Sequence, residues 1–149
     1  MGMGPSLGKH RAQRWSFAAV VVMLAGPGAM AHHSISRAYD GSRQTTITGV
    51  ISEFRFVQPH SHIVLDAAPG EAEPALWWLE MDNYWELVEI GITADTFEPG
   101  DRVVATGAPS RGEELRLYLR RLDRPADGLR YQQIGYRPSI GTLSEGAAR

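Results

Sequence analysis

The chain has 149 residues, 15 of them basic and 17 acidic, with five histidines and no cysteine. The missing thiols exclude disulfides, thiolate metal ligands and cysteine nucleophiles, and with them a lipid-anchored lipoprotein. A net charge of −2 argues against nucleic acid as a partner, because neutralised phosphates supply most of that affinity.

Lys9, Arg11 and Arg14 precede an apolar run from Trp15 to Ala25, which Gly26-Pro27-Gly28 and Ala29-Met30-Ala31 follow. A basic start, a short apolar core, a helix breaker and a small-x-small site are the parts of a secretory signal. A membrane-spanning helix needs roughly 20 apolar residues, and this run stops short of that. Residues 1–31 are therefore expected to be cleaved after Ala31, leaving a periplasmic protein without a stable membrane anchor. An uncleaved amphipathic anchor and cleavage after Gly28 are the alternatives. Removing 31 of the 149 residues leaves 118, with 12 basic against 17 acidic residues and a net charge near −5. That length suits one domain, expected over residues 32–134, with residues 135–149 read as a flexible C-terminal tail.

Gln44 to Val57 is rich in β-branched and aromatic residues and predicts a long first strand, bent at Gly49. His60 to Ala67 predicts the second strand, and Pro69-Gly70 the turn after it. Ala75 to Met81 predicts the third, with Trp77, Leu79 and Met81 on one face. The period then changes. Asp82 or Asn83 can cap a short helix over Tyr84 to Ile90, which Gly91 would stop. Pro99-Gly100-Asp101 is a type II turn signal. Arg102 to Ala108 and Leu115 to Leu122 predict strands four and five, the last with Leu115, Leu117 and Leu119 opposite Arg116, Tyr118 and Arg120. Three strands, one short helix and two strands make the order of a mainly β, five-stranded OB-like barrel with its helix between strands 3 and 4. A small open β-sandwich is the competing architecture.

Ala31-His32-His33-Ser34, Thr48-Gly49-Val50 and Gln58-Pro59-His60 form one set of motifs. Phe97-Glu98-Pro99-Gly100-Asp101 with Val103 and Gly107 forms another. Together they resemble an uncharacterised family of exported bacterial proteins, the domain-of-unknown-function family 6152, from about His32 to Asp123. The resemblance implies a periplasmic, barrel-like domain and brings no established activity. Gln58, Ile35 and the segment Tyr84 to Ile92 depart from the family's usual pattern.

Four histidines follow the expected cleavage point, as the pairs His32-His33 and His60-x-His62. Residues two apart on a strand share a face at roughly 7 Å, so His60 and His62 can share a ligand. Cleavage after Ala31 would give His32 a free amine, and amine and imidazole Nδ1 can chelate one metal ion. A third nitrogen from His60 or His62 would complete an all-nitrogen site suited to copper(II), with His33 in reserve. Zinc is the second choice, through His60, His62 and Asp66. The competing reading of His60 is a simple bond to a backbone carbonyl.

Glu80, Asp82, Glu86 and Glu89 are read as the wet face of strand and helix. Arg116, Arg120, Arg121 and Arg124 are read as a solvated face, with an anionic partner as the alternative. Trp78 and Trp85, from the cluster Trp77, Trp78, Tyr84 and Trp85, are a possible ligand platform. The leading expectation is a copper-binding periplasmic protein without catalytic residues. The alternative is a non-enzymatic module that holds a peptide, a glycan or an envelope protein on an aromatic barrel face.

Overall fold

The computed structural model describes Met1 and residues 35–68, 73–135 and 137–143. The expected signal segment beyond Met1, its cleavage point, and His32 and His33 lie outside the described residues. A helical turn over residues 35–38 leads into β1 (Thr45–Arg55), β2 (His60–Ala67), β3 (Ala75–Asn83), α1 (Tyr84–Glu89), β4 (Arg102–Pro109), β5 (Arg116–Arg124), β6 (Leu129–Ile134) and β7 (Arg137–Thr142). Hydrogen-bonded neighbours run β3-β2-β1-β4-β5-β6-β7, all antiparallel. A parallel pairing of β3 with β5, from Trp78↔Arg116 to Glu80↔Tyr118, closes the first five strands into a barrel. The closed order β1-β2-β3-β5-β4 is that of the OB-like barrel expected from the sequence.

Two sequence features make closure possible. β1 pairs with both β2 and β4, so it must coil sharply, and Gly49 sits where Ala67 and Val103 flank it. A methyl at Gly49 would overlap the Asp66 carbonyl and the Ala67 side chain. The turn before β4 is the expected one, with Gly100 at φ 100°, a conformation that a Cβ disfavours. α1 starts where expected, because Asn83 Oδ1 accepts from the Trp85 amide at 2.9 Å.

Ile47, Ile51, Ile63, Leu65, Leu79, Met81, Val103, Leu117 and Leu119 fill the barrel. Leu115 does not join them: it precedes β5 at φ 56° and is 41% exposed. The alternation along β5 also breaks once. Thr106 faces Arg121 while Gly107 faces Leu119, so Arg120 is an extra residue in a β-bulge. Both Arg120 and Arg121 therefore stay off the core while Leu122 returns to it.

β6 and β7 extend the sheet past the barrel, and β7 occupies residues that the sequence reading gave to a tail. Pro138 and Gly141 make that segment look unstructured, but a terminal strand tolerates proline. Tyr131 pairs with Ile140, and Ile140 packs on the core. Residues 144–149 lie outside the described residues.

Candidate functional site

The seam of β3 and β5 carries the polar chemistry. Inward residues of β3 are Trp77, Leu79 and Met81, all buried, so Trp78, Glu80 and Asp82 take the outer face. Opposite them stand Arg116, Tyr118 and Arg120 of β5. This outer face is not simply wet. Tyr39, just after the helical turn, packs on Tyr118 with ring centroids 5.6 Å apart, and the two are buried together with Ala108.

Glu80 is the hub of the first network. Its Oε2 accepts from the Tyr39 hydroxyl at 2.5 Å and from Arg116 at 3.0 Å. Arg116 also donates to the Tyr39 oxygen at 2.8 Å and holds Glu113 through both carboxylate oxygens at 2.8 and 2.9 Å. Burial and the neighbouring Glu80 carboxylate push the Tyr39 hydroxyl well above its ordinary range. Tyr39 therefore donates its proton and does not lose it at any physiological pH. The other oxygen of Glu80 lies 3.8 Å from His60 Nδ1.

Asp82 anchors the second network and is 4% exposed, which corrects its reading as a wet-face residue. Tyr118 and Tyr131 each donate a hydroxyl to one of its carboxylate oxygens, Tyr131 at 2.6 Å. Burial raises the Asp82 carboxyl against the lowering effect of these two donors. Burial and the nearby Asp82 charge raise both tyrosines.

The two histidines of β2 sit differently. His60 pairs with Asn83 and His62 with Glu80, with an irregular step between them. Both still line one small cavity with Trp78, Glu80 and Arg116. His60 Nδ1 lies 3.3 Å from the Met81 carbonyl. A carbonyl only accepts, so in this contact the ring proton is on Nδ1 and Nε2 keeps its lone pair. The carbonyl bond anticipated for His60 is thus present, and it is also the arrangement that orients a metal-binding imidazole. His62 is 8% exposed, and its ring stacks on Trp78 at 3.7 Å. Its Nε2 is buried without a hydrogen-bond partner among the described residues. Burial, then Arg55, lowers its pKa and keeps the ring neutral. Asp66 is exposed at the far end of β2. Among the described residues no three His, Asp or Glu side chains group closely enough to hold a metal ion.

The two tryptophans proposed as a platform serve separate surroundings. Trp78 lies against His62, with the Arg116 guanidinium 5.9 Å from its ring centroid. Trp85 is 60% exposed on α1 and meets Tyr84 edge-on. Of the arginines, Arg121 pairs with Asp123 at 2.6 Å, and Arg124 pairs with Asp101 at 2.5 Å and Asp127 at 2.8 Å. Arg120 donates to Gln133 and lies over the Tyr118 ring at 5.0 Å.

Sequence reasoning missed Tyr39, Glu80, Asp82, Tyr118 and Tyr131 as site residues. The period-two pattern assigns Glu80, Asp82 and Tyr118 to the outer face correctly, whereas Tyr39 and Tyr131 fall outside the five strands it predicts. What it does not contain is the cover over that face, which comes from the segment before β1 and from β6. A faint signal existed in Tyr118, a large aromatic between two arginines on a face expected to be wet.

No curated protein and no solved structure gives a significant match to the chain. A family model does, over residues 19–117, which spans β1 to β4, α1 and the start of β5 with both histidine pairs. The chain belongs to the family of unknown function DUF6152.

Proposed function

We propose that this protein is an exported, periplasmic metal-binding protein, cleaved after Ala31, that holds copper through the terminal amine and imidazole of His32 together with His60. The observation that carries this reading is the position of Ile35. It lines one cavity with His60, Glu80 and Tyr39, and the Tyr39 amide donates to its carbonyl at 2.8 Å. A chain extends at most about 3.6 Å per residue, so covalent connection tethers the two preceding histidines within roughly 11 Å of that cavity wall. His60 supports the same reading, because its proton is committed to the Met81 carbonyl and its Nε2 lone pair is free to bind. His62 is the weaker candidate, since it is buried against Trp78. Copper's place at the top of the divalent series and its taste for imidazole and amine nitrogen favour it over zinc.

The test is native and denaturing intact mass spectrometry of protein recovered from the periplasm, with copper added. A chain starting at His32 with one copper retained is expected, and His60→Ala should weaken binding by about a hundredfold, as removal of one of three ligands would. A different first residue, or unchanged affinity in His60→Ala, would overturn the site. Affinity should fall with pH below about 8, because the amine and imidazoles must lose protons to bind.

One observation favours the second reading, a non-enzymatic module for a peptide, glycan or envelope protein. Trp85 and Val88, one turn apart on α1, are 60% and 40% exposed. Loss of partner binding in Trp85→Ala, with copper affinity intact, would shift the assignment to that module.

A further inference from the structure

We infer a second ligand site, for an anionic sugar, in the groove between the start of the described chain and the outer face of β4, β5 and β6. Two adjoining cavities of about 270 and 650 Å³ share Gly41, Arg120, Gln133 and Gly135 as walls. Their lining includes Arg111, Arg120, Arg121, Gln44, Gln132 and Gln133, and no aspartate or glutamate among the described residues. In a chain with more acidic than basic residues, a groove of three arginines without a carboxylate is not a consequence of composition.

The arginines are not equivalent, and the difference places the anion. Arg111 reaches Asp40 at 3.3 Å and Arg121 reaches Asp123 at 2.6 Å. Outside the groove, Arg116 and Arg124 are likewise neutralised by carboxylates. Arg120 alone of the β5 arginines has no ion pair among the described residues. It donates to the Gln133 amide oxygen, lies over the Tyr118 ring, and acts on the Asp82 carboxyl through its charge without an ion-pair contact. Alternation puts Arg120 on the outer face, and the bulge keeps Arg121 beside it, because without the extra residue Arg121 would turn to the core and Leu122 would lie outside. A half-buried guanidinium that keeps donors free is suited to a carboxylate or phosphate, which it can grip with two parallel bonds. Gln133 is 6% exposed and is held by Arg120 and by the Gly135 carbonyl at 3.2 Å. Its neighbours Gln44, Gln132 and Thr106 add amide and hydroxyl groups that donate and accept. One firm anion position beside several neutral two-way hydrogen-bonding groups matches a sugar that carries one acidic group among hydroxyls. A sugar acid and a sugar phosphate share that chemistry. This site is separate from His60 and does not depend on metal binding.

The experiment titrates the folded chain with glucuronate, glucose 6-phosphate and glucose, followed by calorimetry and by the side-chain NMR signals of arginine and glutamine. Saturable binding of at least one anion below about 10 mM, weakening as salt rises, is expected. Glucose should bind at least about tenfold more weakly. Whichever anion binds more tightly identifies carboxylate or phosphate as the recognised group. Arg120→Ala should lose about tenfold or more, while Arg102→Ala, an exposed arginine outside the groove, stays near the wild type. Gln133→Glu covers the case in which Arg120→Ala does not fold, since it leaves the guanidinium in place and supplies a competing carboxylate. Binding lost in Gln133→Glu supports the site. Binding unchanged there, equal losses in Arg102→Ala and Arg120→Ala, equal binding of glucose, or no saturation with either anion would each overturn it.

Discussion

Glu80 and Asp82 lie two residues apart on the same face of one strand, yet they live in different worlds. Asp82 is sealed, with a tyrosine hydroxyl on each oxygen and its carboxyl raised by burial. Glu80 is reached from an open cavity, and its partners are an arginine, a tyrosine and an adjacent histidine. The lesson concerns what covers a face and not which face it is. Where β6 lays Tyr131 over the seam, a carboxylate becomes part of the structure. One step along, where only the segment before β1 approaches, the same chemistry stays accessible to a ligand.

The comparison is broken most easily at Asp82. Asp82→Ala leaves two buried hydroxyls without an acceptor and opens a gap between Tyr118 and Tyr131. A loss of about 3–5 kcal/mol is expected by urea unfolding, against about 1 kcal/mol for Glu80→Ala, where Arg116 keeps Glu113 and water can enter. Equal losses would mean that the two sites do not differ in the way described. Tyr118→Phe should follow at about 2 kcal/mol.

The pH dependence has a definite sign. Because the folded Asp82 carboxyl is raised above its ordinary value of 3.8, the folded state binds its proton more tightly than the unfolded chain. The associated stability is present below pH 3.8 and is lost as pH rises through the folded pKa. Asp123 and Asp127 run the other way, lowered by hydrogen bonds from Arg130, Arg121 and Arg124. The difference in unfolding free energy between wild type and Asp82→Asn should therefore decline with rising pH above 3.8 and then level off. A flat difference would show that burial does not govern this carboxyl.

Much of the barrel was legible in the sequence, and the reason is periodicity. Ile47 and Ile51 on β1, Ile63 and Leu65 on β2, and Leu117 and Leu119 on β5 alternate with polar neighbours, so one face had to be a core. Gly49, Asn83 and Gly100 announced the bend, the cap and the turn. β6 and β7 escaped because Leu129 to Thr142 alternates weakly and contains Gly135, Pro138 and Gly141. The candidate site was half legible for the same reason. His60 stands out by its type and spacing, whereas Tyr39, Glu80 and Arg116 meet only in three dimensions, across separations of 36 to 77 residues.

A smaller effect sharpens the open side of the comparison. If copper binds at His60, Glu80 beside Nδ1 is a positioning residue that favours the Nδ1-protonated ring. Glu80→Gln should lower copper affinity by about tenfold while leaving the unfolding midpoint nearly unchanged. An effect on stability alone would make Glu80 purely structural.

The smallest expected effect is at Tyr39, and it is the counterpart of Tyr118→Phe. Tyr39→Phe removes one hydroxyl from Glu80, as Tyr118→Phe removes one from Asp82, and in both cases the ring remains packed. At Glu80 the Arg116 bond at 3.0 Å survives the loss, and the adjoining cavity admits water to take the vacated position. A change of about 0.5 kcal/mol is expected at Tyr39. At Asp82 the only replacement donor would have to enter a closed site, which is why the same atom removed there weighs more. If the two tyrosine variants lose the same stability, the cover supplied by β6 does not distinguish the two carboxylates, and Glu80 belongs to the framework as fully as Asp82 does.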